Sequence, residues 1–265
     1  MAAAVASLLV PLCVGLASAA GPSPSRPGES SPFTAFEAAA SRTRGDGFVL
    51  LHPVALKPEA AAALRTLVEG RTLICGGLGL TVDETITVLL LPPGAFRDGT
   101  GNPPWVRGTY DGRILVPVAP GAAAAGSSAL DAVLMHELTH ALLRAPGSAA
   151  LPPWFEEGLA ERFEGGSAAA AAAWLRRRRA PHFAGLGAID DAIRAGGWRE
   201  DAGHQGARLA VQSLEDIGGP GAAAGIIAAT RAGTAFAAAL PVFVPGGAAA
   251  IEEALRRRLP EAIDK

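Results

Sequence analysis

The chain has 265 residues, enough to bury one large core without depending on disulfides. Hydrophobic residues make up 49% and charged residues 18%, which excludes disorder as the main state. A net charge of −2 with a pI near 6.2 excludes a general polyanion binder, so no nucleic-acid partner is expected. Alanine is about a fifth of the residues and tilts many segments toward helix. Of the two cysteines, Cys13 lies in a segment expected to be removed, and Cys75 reads as a lone buried thiol.

Residues Ala2 to Ala20 form an apolar run ending in Ala17-Ser18-Ala19, the small-x-small pattern of a secretory signal peptide. No Lys or Arg precedes it, so an uncleaved N-terminal membrane anchor is the alternative over 1–20. Leu12 before Cys13 disagrees with a lipidation site. Positions 21–32 are rich in Pro, Ser and Gly and read as a flexible tether, leaving 33–265 as the folded domain. Gly47 to Leu51 predicts a strand, and Pro58 to Glu69 a helix with proline at its start. Thr85 to Leu91, stopped by Pro92-Pro93, predicts a buried strand. Gly94 to Arg107 reads as a long loop, and Gly112 to Val118 as an exposed or edge strand. From Ser127 onward helical patterns take over, broken near Gly147, Gly165, Gly197, Gly219 and Gly246. Ala168 to Ala173 with Arg176 to Arg179 reads as a helix with a solvated basic end. Strands followed by helices make an α+β fold.

His136-Glu137-Leu138-Thr139-His140 is an HExxH motif. Ser128 and Asp131 have capping-box spacing, and Leu130, Leu134, Leu138 and Leu142 recur as a buried helical stripe. On that helix His136 and His140 sit one turn apart and can share one Zn²⁺, with Glu137 beside it as general base. A catalytic zinc needs a third protein ligand. The next helix, Pro152 to Glu161, offers Glu157 and Glu161 on one face, while Glu156 reads as a partner for the helix dipole. Gly158 is expected to let this helix approach the HExxH helix closely. His52 and His182 have no partners at metal spacing, and Leu138 and Thr139 read as packing positions.

Together, His136–His140 and Trp154-Phe155-Glu156-Glu157-Gly158-Leu159-Ala160-Glu161 resemble the signatures of gluzincin metallopeptidases of the peptidase MA-like type, related to thermolysin and the zinc aminopeptidases. The resemblance covers about 85–259. It implies a mixed N-terminal sheet whose edge strand packs on the HExxH helix, and it makes Glu157 the third zinc ligand. Trp105 to Val118 resembles the edge strand along which the family's peptides lie, implying substrate contacts at Tyr110 and Gly112. Gly206 to Pro220 resembles the family's later helix. The aminopeptidases place an oxyanion-stabilising tyrosine three residues before the equivalent of Gly206. Here that position is Gly203, with His204 next to it as the candidate donor and Tyr110, the only tyrosine, as another. The G-x-M-E-N motif of those enzymes is missing, so exopeptidase specificity is unsupported. The expected function is an exported zinc peptidase acting on peptide or protein substrates. The alternative is a peptide-binding protein that keeps the zinc site with little turnover.

Overall fold

The computed structural model describes residues 31–122, 128–145, 148, 150–178, 183 and 185–259. The leader and most of the tether, Cys13 and His182 lie outside the described residues. After a short helix α1 (Thr34–Ala39), strands β1 (Ser41–Gly45) and β2 (Phe48–His52) form an antiparallel hairpin. Its two-residue turn, Asp46-Gly47, has φ of 44° and 81°, the paired left-handed conformation that matches the twist of hairpin strands. Helix α2 (Lys57–Leu78) crosses over to β3 (Ile86–Leu91), which runs parallel to β2. Helix α3 (Pro93–Thr100) and β4 (Thr109–Tyr110) precede β5 (Ile114–Pro117), which pairs parallel to β3 and antiparallel to β4. The sheet order is β1-β2-β3-β5-β4, a mixed sheet.

Apolar residues line both sheet faces. Phe48, Leu50, Val88, Leu90, Ile114 and Val116 face the main core, while Leu51, Leu89, Leu91 and Leu115 pack with Phe33, Phe96 and Val106 on the other side. This two-sided burial explains the continuous apolar run of β3. It also corrects the reading of Gly112 to Val118: β5 is interior and buried, and the edge is the two-residue β4. The expected long loop from Gly94 to Arg107 likewise begins with α3, a Gly- and Pro-containing helix anchored by buried Phe96. Helix α2 runs nine residues past its predicted end and buries Ala60, Ala63, Leu67, Ile74 and Leu78 at helical spacing. Cys75, near its end, is half-buried.

The second half is helical: α4 (Ser128–Leu143), α5 (Pro153–Glu164), α6 (Ala168–Arg177), α7 (Leu186–Ala195), α8 (Trp198–Gly218), α9 (Ala222–Arg231), α10 (Phe236–Phe243) and α11 (Gly247–Arg258). The fold is thus α+β, with a mixed sheet first and helices after. Helix α4 lies between β4, β5 and α2 on one side and α5 on the other. Its Leu134, Leu138 and Leu142 are fully buried. Asp131 accepts a hydrogen bond from the Thr66 hydroxyl of α2 at 2.6 Å. Helix α8 packs against α5, α6, α7, α9 and α11 and is the hub of this half.

Helix α5 is buried at every position from Trp154 to Glu161. The close approach allowed by Gly158 is to α8 rather than to the HExxH helix. A Cβ there would lie 2.4 Å from the Ala207 carbonyl oxygen and 2.5 Å from Val211 Cγ2. Backbone cannot yield as a flexible side chain can, so α5 and α8 pack at this separation only because residue 158 has no side chain. Gly158→Ala should cost ~1–3 kcal/mol of stability through overpacking. Gly76→Ala, on an open face of α2 with nothing nearby, should gain up to ~1 kcal/mol. Denaturant unfolding of the two variants reads this contrast, and equal effects would refute the tight α5–α8 contact.

Candidate metal centre

On α4, His136 and His140 are four residues apart and project the same way. Their ring centroids are 5.0 Å apart and their Nε2 atoms 3.3 Å apart. From α5, Glu157 Oε2 reaches to 3.4 Å from His136 Nε2 and 3.2 Å from His140 Nε2. An ion holding N and O donors tetrahedrally at about 2.0–2.1 Å spaces them about 3.3–3.4 Å apart. The observed triangle has that size.

His136, Glu137, His140, Glu157, Glu161 and His204 are each 5% exposed or less. Burying so many ionisable groups is costly unless each finds a partner. Several atoms here have none: His140 Nδ1, Glu137 Oε2, Glu157 Oε2 and His204 Nε2 are buried without a hydrogen bond. The donor set and these orphaned atoms fit a bound metal ion.

Carboxylates behind the centre orient the imidazoles. His136 Nδ1 lies 3.1 Å from Glu164 Oε2, and Arg107 Nη2 donates to Glu164 Oε1 at 3.2 Å. A carboxylate only accepts, so Nδ1 carries a proton, and in the neutral ring the Nε2 lone pair faces the centre. Glu161 Oε1 holds His204 Nδ1 at 3.1 Å in the same manner, and Gln205 Nε2 donates to Glu161 Oε2 at 3.4 Å. Glu156 points away and takes Arg144 Nε and Nη2 at 2.9 and 2.6 Å. It therefore pairs with a cation at the end of α4, a stronger tie than the helix dipole.

Glu137 sits against the backbone leading into β4. A Cβ on Gly108 would fall 2.9 Å from Glu137 Oε1 and 2.7 Å from Val133 Cγ1, so a side chain at position 108 would displace the carboxylate. Next to it, Arg107, Val116, Leu130 and Val133 help line an apolar cleft of about 350 Å³.

The site residues expected from the sequence are thus distributed as follows. His136, Glu137, His140, Glu157 and His204 converge, and Glu161 stands behind His204. Tyr110 lies on edge strand β4, whereas Gly112 is at the β4–β5 hairpin tip with φ of 99° and nothing around it. Gly203 faces α7, where a Cβ would lie 2.7 Å from Ile193 N, and the adjacent His204 turns to the centre. His52 is structural, bonded to Thr43 Oγ1 at 2.9 Å and to the Pro53 carbonyl oxygen at 2.8 Å. Sequence reasoning missed Glu164, Arg107 and Glu200. Glu164 had a signal, since Glu157, Glu161 and Glu164 share one helical face at i, i+4 and i+7.

The charges are interlocked in the metal-free protein. Burial disfavours the charge on His136, but the Glu157 and Glu164 carboxylates hold its pKa well above the usual imidazole range. Burial likewise opposes ionisation of Glu157, and His140, His204 and His136 overcome it to hold that carboxyl well below its usual value. Glu137 is pushed up by burial, against the pull of His136 and His140. No family model and no curated protein matches the chain.

Removing a ligand should empty the centre. His136→Ala, His140→Ala or Glu157→Ala should lose most metal uptake in equilibrium dialysis, and Glu156→Ala should keep it. Glu164→Gln should weaken affinity ~10–100-fold. Stoichiometric metal in Glu157→Ala would move the ligand role to Glu161.

Glu200, one turn before His204, is buried with its Oε1 unpartnered. Burial, opposed by His204 and reinforced by Glu157 and Asp201, pushes its carboxyl from 4.5 up to about 7. A carboxyl raised by folding lets the folded state hold its proton longer, so stability is lost as pH rises from about 4.5 to about 7. Glu200→Gln should exceed the parent by ~1–3 kcal/mol at about pH 8 and merge with it near pH 4.5. Unfolding of the metal-free chain across that range checks this, and a gap that widens toward acid would contradict it.

Proposed function

We propose that the chain is an exported zinc-dependent peptidase that cleaves peptide bonds with a metal-activated water. The observation that carries the reading is the triangle of His136 Nε2, His140 Nε2 and Glu157 Oε2, with edges of 3.2–3.4 Å, beside the buried and unpaired Glu137. His136, His140 and Glu157 hold the ion. A zinc ion there supplies Lewis acidity and a bound water whose pKa is brought toward ~7. Glu137 accepts the proton of the attacking water and delivers it to the leaving amine.

Substrate placement is supported by β4, an edge strand that among the described residues pairs with β5 alone. An extended peptide can add to that edge through main-chain hydrogen bonds, alongside Tyr110. The apolar cleft lined in part by Val116, Leu130 and Val133 offers room for an uncharged side chain. Export rests on the leader-like Ala2 to Ala20 and the Pro/Ser tether, with anchoring at the membrane if the leader is retained.

One observation favours the second reading, a zinc-holding peptide-binding protein with little turnover. His204 Nε2 lies 3.7 Å from Glu157 Oε2, close to where the attacking water belongs. Glu137→Gln tests the chemistry: it should keep stoichiometric zinc and lose cleavage of a mixed peptide pool, because an amide cannot accept the proton. An undiminished rate in that variant would remove Glu137 as the base. No cleavage by the zinc-loaded parent chain would favour the binding protein.

A further inference from the structure

We infer that His204 is a fourth protein ligand of the metal in the resting site, completing a set of three imidazoles and one carboxylate. The inference rests on the metal reading above and concerns what fills the position that an open catalytic site leaves to water. Two observations carry it.

The first is the tautomer. Glu161 Oε1 lies 3.1 Å from His204 Nδ1, and because an ionised carboxylate only accepts, the ring proton of neutral His204 is on Nδ1. Nε2 then presents a lone pair. A neutral ring in this state has no N–H to give an oxyanion, and a protonated ring beside a divalent cation is electrostatically disfavoured. The group that the resemblance casts as an oxyanion donor is thus arranged as a donor of electrons. His204 Nε2 is buried without a hydrogen bond and faces Glu157 Oε2, itself without one, at 3.7 Å, a spacing at which one cation could satisfy both atoms.

The second is the likeness to His136. Both rings give Nδ1 to a carboxylate of α5, Glu164 for His136 and Glu161 for His204, each at 3.1 Å. Both turn Nε2 to the same oxygen, Glu157 Oε2, at 3.4 and 3.7 Å. The rings lie nearly parallel, 9° apart, with centroids separated by 5.7 Å. Ligand atoms of His136, Glu157 and His204 all fall within 4.8 Å of one another. A metal-binding imidazole held by a carboxylate on its far nitrogen is the recurring arrangement of histidine ligands, and His204 has it in full.

The consequence is a metal held more tightly and more closed than a three-ligand site, because closed four-ligand sites are the structural type and open ones the catalytic type. In the peptidase reading, His204 would stand where an open site leaves room for water, and the resting protein would turn over slowly.

The test uses the full chain. Zinc-loaded protein is examined by X-ray absorption to count imidazole ligands, and Co²⁺-loaded protein by its visible absorption, with affinity read by chelator competition for the parent and for His204→Ala. Three imidazoles are expected in the parent. His204→Ala should bind Co²⁺ at least about tenfold more weakly with an altered visible spectrum, and added imidazole should restore the spectrum. Two imidazoles in the parent, or a variant with unchanged affinity and spectrum, overturns the inference and leaves the three-ligand site intact. A parent chain that takes up no metal overturns the metal reading itself. If His204→Ala fails to fold, the imidazole count in the parent decides alone.

Discussion

Three carboxylates on a helix that is buried all round impose the constraint to which the rest of this half of the molecule answers. Helix α5 carries Glu156, Glu157 and Glu161 within its fully buried stretch, and Glu164 at its end. A buried carboxylate without a partner shifts its pKa or opens the fold, and losing one member of a buried pair costs about 3–5 kcal/mol. Each of these four is answered from another element. Arg144 at the end of α4 meets Glu156, the α4 histidines meet Glu157, and His204 on α8 meets Glu161. Arg107, ahead of the edge strand, and His136 both meet Glu164. Electrostatics thereby ties α4, α8 and the approach to β4 to one central helix.

Without a metal, the same groups balance through shared protons. His136 and His204 are pushed toward the charged form by their carboxylates, and Glu157 is held ionised by the histidines around it. A metal ion bound at the proposed centre would take over the positive charge, and its uptake would release protons. Glu200 adds a further buried carboxyl just outside this balance.

What the sequence made legible follows from how local each signal is. Helices α2, α4 and α5 announce themselves by helical spacing and starting prolines, and β3 by its unbroken apolar run. HExxH places two histidines and a glutamate within five residues, and the helix rule alone brings them to one face. β1 was missed because Ser-Arg-Thr-Arg-Gly is polar and half exposed, although Asp46-Gly47 marked its hairpin. α3 was missed because Gly94 and Gly99 are poor helix formers, and what holds it is Phe96 packing under the sheet, a contact made in three dimensions. β5 read as exposed because a sequence does not show that both of its faces are covered. That His204 turns inward rather than to solvent depends on the packing of α8 against α5 and α7, which is information no single helix contains.

Glu157, Glu161 and Glu164 stand on successive turns of one rod, about 5.4 Å apart per turn. Glu157 faces the imidazoles of α4, the ligand position of the proposed centre, and the other two hold the rings of His204 and His136. These parts therefore share a single mechanical coordinate. A tilt or slide of α5 carries all three carboxylates together, and how they stand toward the histidines of α4 and α8 depends on how one helix seats against α8 at Gly158.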